Sequence, residues 1–242
     1  MTLTTMGAGI PMYVHPGIDS RSWAALMVAD QPVAWAVLNQ DSGPGTTEDS
    51  VLYDAARVVK AAGTTHMCGY INYAYGARPG TDFTIFADAD TWIARGIDCF
   101  FLDQVPPAQA DVQAVGVTIA GLRKRGAKFI VLNYGTLPHP EHIDLADVAV
   151  TFEGDMTTYR GLVTPEWTRD FAPERFAHLV YEANQNDARE AVALARGMGV
   201  HNVFATDGTF ASGNPWSGLP LYWSTEARTL TSFPTRPAPG RP

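Results

Sequence analysis

The residues best suited to chemistry are acids that end apolar runs. Asp103 closes the run Asp98-Cys99-Phe100-Phe101-Leu102 and precedes Gln104-Val105-Pro106. Glu153 closes the run Asp147 to Phe152. A run of five or six apolar residues has the length of a buried strand. A carboxylate at its end therefore stands where the strand leaves the core. Two acids placed this way, one a general acid and one a nucleophile or base, are the minimum apparatus for hydrolysing a glycosidic bond.

Around them the strand ends are polar and aromatic. Tyr13 and His15, then Asn39, then Asn72-Tyr73-Ala74-Tyr75-Gly76-Ala77-Arg78, then Gln104, then Asn133-Tyr134, then Tyr181-Glu182 and finally Thr206-Asp207 follow successive apolar runs. Amides and acids bond hydroxyls in pairs, and aromatic faces take the apolar side of a sugar ring. The expected substrate-binding residues are His15, Asn39, Tyr73, Tyr75, Arg78, Gln104, Asn133, Tyr134 and Asp207. Asn39, Asn72 and Asn133 end three strands alike, which favours a functional role over simple capping. Arg78 suits pairing with an acid that positions the site. Trp167 and Trp216, in long connections, suit cleft walls. His139 and His142 lie three apart without a third ligand of matching spacing, so no metal is expected.

The elements that hold these residues follow from periodicity. Eight β-rich runs recur: Ile10–His15, Val33–Asn39, Met67–Asn72, Asp98–Asp103, Lys128–Asn133, Asp147–Glu153, Phe176–Glu182 and Val200–Thr206. Between them lie stripes of helical period, over Ser20–Ala29, Glu48–Ala62, Asp82–Arg95, Ala110–Arg125 and Asp187–Met198. The fifth unit is compressed into His139–Ala146. Eight such units in 242 residues predict an α/β fold, a single-domain (β/α)8 TIM barrel over 10–231, with an N-terminal extension at 1–9 and a Pro-rich tail at 232–242. An open doubly wound sheet is the alternative, weakened because no G-x-G-x-x-G follows the first strand. In a barrel the C-terminal strand ends carry the chemistry. Strand alternation puts Cys99, Phe101 and Asp103 on one face, and Ala149, Thr151 and Glu153 on one face with the small residues inward.

Composition sets limits. The net charge of −8 argues against nucleic acid as a partner. No stretch of 18 apolar residues suggests a membrane span. Met1 to Ile10 lacks the features of a secretory signal, so the chain either acts without classical secretion or has lost its leader, and its compartment stays open. Cys68 and Cys99, each in an apolar run, are expected as buried free thiols.

Five ordered motifs resemble the spherulin 4 (spherulation-specific) family: Asn39-x-x-Ser42-Gly43-Pro44-Gly45, Gly69-Tyr70-x-x-x-x-Tyr75-Gly76-x-Arg78, Phe101-x-Asp103, Leu132-Asn133-x-Gly135-Thr136 and Phe152-Glu153. The resemblance covers about Pro11 to Thr206. It implies a (β/α)8 glycoside hydrolase acting on α-1,4-linked N-acetylgalactosamine in a galactosaminogalactan-type exopolysaccharide, without metal or organic cofactor. Asp103 and Glu153 match the family's acids at the ends of strands four and six. The family pattern at strand four is Asp-Glu, and Gln104 departs from it. That departure gives the alternative its ground: a glycan-binding domain with impaired catalysis, part of a larger cell-surface or phage tail assembly.

Overall fold

The computed structural model describes residues 6–63, 65–78, 80, 81 and 84–232. Eight parallel strands follow chain order in one sheet: β1 (Ala8–Met12), β2 (Val33–Leu38), β3 (His66–Asn72), β4 (Cys99–Asp103), β5 (Phe129–Asn133), β6 (Val148–Asp155), β7 (Phe176–Tyr181) and β8 (Asn202–Ala205). The sheet closes where Gly7, just ahead of β1, bridges Asn202. There the Gly7 N–H donates to the His201 carbonyl, and the Val203 N–H donates to the Gly7 carbonyl. This is a single (β/α)8 barrel, as the eight runs predict.

The helices are α1 (Ser20–Leu26), α2 (Ser50–Ala62), α3 (Ile85–Ala94), α4 (Val112–Lys124), α5 (Met156–Arg160), α6 (Gln185–Gly197) and α7 (Trp223–Thr231). Side-chain caps start several of them. Asp19 and Asp49 accept first-turn N–H groups of α1 and α2, and Asn184 with Asp187 forms a capping box on α6, each satisfying donors that a helix start leaves open. The compressed fifth unit contains a 3-10 turn over Pro140–Leu145. β1 begins at Ala8, within the residues read as an extension, and residues 1–5 and 233–242 lie outside the described residues.

Apolar strands dictate a filled interior. Trp35 and Phe101 pack with ring centroids 5.7 Å apart, and Phe101 reaches Tyr70 at 6.3 Å. Gly9 on β1 makes room for this stack: a Cβ there would stand 2.0 Å from the Trp35 ring. Cys68 and Cys99 are buried free thiols in register on β3 and β4.

Adding even one methyl against a filled core forces side chains off their rotamers, typically at about 1–3 kcal/mol. Gly9→Ala should lower the unfolding free energy by that amount, seen as a lower urea midpoint with an unchanged m-value, and Trp35→Leu in the same chain should recover part of the loss. An unaltered midpoint in Gly9→Ala would contradict this packing.

Candidate active site at the barrel mouth

Asp103 is the last residue of β4, and its two oxygens take two donors. The Tyr70 hydroxyl donates to Oδ2 at 2.7 Å, and Asn133 Nδ2 donates to Oδ1 at 2.7 Å. The same Asn133 nitrogen donates its other hydrogen to Glu153 Oε2, also at 2.7 Å. Trp216 Nε1 donates to Glu153 Oε1 at 3.0 Å. Asn133 Oδ1 accepts the Gly135 N–H at 3.0 Å, which fixes which way round the amide sits. One amide thus bridges two acids, whose nearest oxygens are at most twice 2.7 Å apart.

Strand register explains how Glu153 comes to face Asp103. Asn133 on β5 is level with Val150 on β6. Residues at one level of neighbouring strands share a face, so Val148 and Val150 lie on the inward face with Asn133. Simple alternation would then turn Glu153 outward. A bulge intervenes: Val150 is level with Ala177, Phe152 with His178 and Glu153 with Leu179, leaving Thr151 as the extra residue. Thr151 instead bonds His178, which bonds Tyr159 of α5 behind the barrel. The expected shared face of Ala149, Thr151 and Glu153 is therefore corrected: the larger valines point inward, and the bulge restores Glu153 to the mouth.

The backbone around the acids is unusual. Of the six non-glycine residues described with positive φ, five follow the C-terminal ends of strands: Ser42, Ala74, Tyr75, Gln104 and Glu182. Each such conformation costs on the order of 1–3 kcal/mol and persists only where the surroundings enforce it. Two are tied to each other, since the Tyr75 N–H donates to the Gln104 carbonyl at 2.7 Å.

The acids open into two joined compartments. One, of about 310 Å³, is lined by Tyr75, Tyr134, Tyr181 and Phe210 beside the acids. The other, of about 350 Å³, reaches Tyr13, Asn39, Ser42 and Trp216. Gln104 and Asn133 line both. Among the described residues no Lys, Arg or His lines either compartment. Burial lifts the Glu153 carboxyl above its ordinary value and the charge of Asp103 adds to that, outweighing the opposite pull of the Asn133 and Trp216 hydrogen bonds. Burial, then Asp103, also raises the Tyr13 and Tyr70 phenols, keeping both neutral.

The remaining expected residues fall in several places. All three strand-end asparagines accept a loop N–H, Asn39 from Gly43 and Asn72 from Ala74, so capping is a role they share and only Asn133 also reaches the acids. Arg78 pairs with Asp88 at 2.8 Å and donates to the Asn72 carbonyl, bracing the end of β3. Tyr73 is buried with its hydroxyl against Thr118 of α4. Tyr134 presents its ring to the cavity while its hydroxyl meets His142 Nδ1. His142 has its other nitrogen at the Ala108 carbonyl. His15 lies outside both compartments, 3.1 Å from Asp49, and Asp207 is exposed outside them too.

Tyr70, which donates to Asp103, was not among the residues expected at the site, yet it was findable, because it lies two residues before Asn72 and so shares its inward face. Trp216, expected as a cleft wall from its long connection, does line the cavity, and its bond to Glu153 follows from the path of the loop after β8.

The family model of spherulation-specific family 4 matches residues 8–230. Spherulin-4 of Physarum polycephalum is 27% identical over 147 residues, which are 60% of this chain and 43% of that protein. The chain thus aligns with less than half of that relative's length. Among solved structures, Aspergillus clavatus Sph3 in complex with GalNAc matches with a TM-score of 0.79 at 18% identity, covering 96% of this chain and 100% of that one. A β-mannanase from Alicyclobacillus acidocaldarius in complex with ManMIm matches at 0.54 and 12% identity, covering 95% and 98%. At these identities the likeness is one of fold.

The causes of the Glu153 shift make a titration informative. In Asp103→Asn the Glu153 pKa should fall, because the charge that adds to burial is gone. Carbon-13 NMR of the Glu153 carboxyl checks this, and no change on substitution would deny the coupling between the acids.

Proposed function

We propose that this chain, which belongs to spherulation-specific family 4, is a retaining, endo-acting glycoside hydrolase cleaving an α-1,4-linked polymer of N-acetylgalactosamine and galactosamine. The observation that carries this reading is the amide shared by Asp103 and Glu153. Retaining enzymes hold their two carboxyl groups about 5–5.5 Å apart, whereas inverting enzymes leave about 6.5–9.5 Å for a water. A bound of twice 2.7 Å on the nearest oxygens supports the shorter class.

The roles follow from environment. Glu153, raised by burial, is the general acid and gives its proton to the leaving glycosidic oxygen. Asp103 faces two neutral donors and no acceptor; it attacks the anomeric carbon and forms the glycosyl-enzyme. Glu153, now ionised, then takes a proton from water, whose oxygen displaces Asp103. Asn133 holds the acids at one spacing through both half-reactions. Tyr75, Tyr181 and Phe210 offer ring faces to sugar, and Gln104 offers an amide to its hydroxyls. A lining without basic residues suits neutral or amine-bearing sugars and disfavours uronic or sulfated ones. The GalNAc carried by Sph3 is of the class proposed.

A second reading, glycan binding without cleavage, draws on Gln104. It stands beside Asp103 in a strained conformation, and an amide transfers no proton there.

On α-1,4-linked galactosamine polymers, Asp103→Asn and Glu153→Gln should each lose at least roughly a hundredfold in kcat while keeping the wild-type circular dichroism spectrum. Proton NMR of the first product should show the α anomer. Wild type that binds these polymers and releases no reducing ends selects the second reading, and a β anomer rejects retention.

A further inference from the structure

The cleft continues beyond the acids. Tyr75 lines both the smaller acid compartment and a larger groove of about 600 Å³ that runs over the start of α4. Tyr75, the lining residue the two spaces share, is 67% exposed. Val117 of α4, 66% exposed, adds a second apolar facet to this groove, and Pro106 forms part of its wall. Open apolar facets in a concave polar surface suit the C–H face of a sugar ring.

The groove also holds one charge. Asp111 stands immediately before α4, where an aspartate ordinarily accepts a first-turn N–H, yet its side chain makes no capping bond. The chain enters α4 from a 3-10 turn, Gln109–Asp111, and the helical backbone of Asp111 leaves its carboxylate without the usual cap bond. Among the described residues no Lys, Arg or His lines the groove. The field of Asp111 reaches the Tyr73 phenol on the opposite side, adding to the rise that burial causes.

We propose that this groove is a second sugar subsite, in which Asp111 pairs with the protonated amine of an unacetylated hexosamine some units along from the cleaved bond. Tyr75 carries the chain over the rim between the two compartments. The subsite rests on the glycosidase reading above and adds to it a preference: a free amine in this groove, where the sugar at the acids is free to be acetylated. An acetamide carries no charge and gains nothing from Asp111, so discrimination arises from one ion pair.

The test compares wild type and Asp111→Asn on two α-1,4-linked galactosamine polymers, one N-acetylated and one de-N-acetylated, counting reducing ends. Wild type should favour the de-N-acetylated polymer. Asp111→Asn should lose that preference by up to about fivefold, the size of a solvent-open ion pair, through KM with kcat held. About 0.5 M salt should weaken the preference more in wild type than in the variant. A merely structural Asp111 would lower activity on both polymers alike and show no salt dependence, and that result overturns the subsite while the glycosidase reading stands. A wild type that cleaves only the acetylated polymer overturns it too. If wild type binds without cleaving, the same preference is read in Kd. If it neither binds nor cleaves either polymer, both proposals fall together.

Discussion

The Asn133 amide is the constraint on which the mouth of this barrel depends. It has two hydrogens and one oxygen, and all three are used: one hydrogen for each acid, the oxygen for the Gly135 N–H. Two carboxylates this close repel each other, and a neutral donor between them offsets that without supplying a charge that would pair off the acids. A lysine in the same place would join the acids in an ion pair and hold both ionised. The neutral bridge leaves burial free to raise Glu153.

The rest of the structure serves that spacing. The packed interior, with Trp35 against Phe101 and Gly9 yielding space to the indole, is the frame that carries the strand ends. β4 brings Asp103, β5 the bridging amide, and β6 Glu153 through its bulge. The strained turns after β2, β3, β4 and β7 re-aim loop residues over the opening. Such strain survives only because a stable barrel lies beneath it.

Charge organises the opening in a complementary way. The lining has carboxylates, amides and aromatic rings but no basic side chain among the described residues. Arg78, although close in sequence to Tyr75, is drawn off to Asp88 and the end of β3. Among the described residues, cations stand away from this lining in pairs such as Arg160 with Glu190 and Lys128 with Asp98.

Much of the frame was legible in the residues alone. Eight apolar runs, with stripes of helical period between them, determined the barrel, because burial and strand or helix period are local properties of the chain. The acids at the ends of the fourth and sixth runs were legible for the same reason. Tertiary structure decided what counting along the chain could not. The β6 bulge reversed the facing of Ala149 and Thr151, since an extra residue is visible only against a neighbouring strand. The partners of the acids came from elsewhere: Tyr70 lies 33 residues before Asp103, and Trp216 lies 63 residues after Glu153. His15 was taken up by Asp49 at the start of α2 rather than by the cavity. The sequence by itself determined which residues end strands; which of those residues meet was decided by register and loop path, because distance between side chains is a property of the closed barrel and not of the chain.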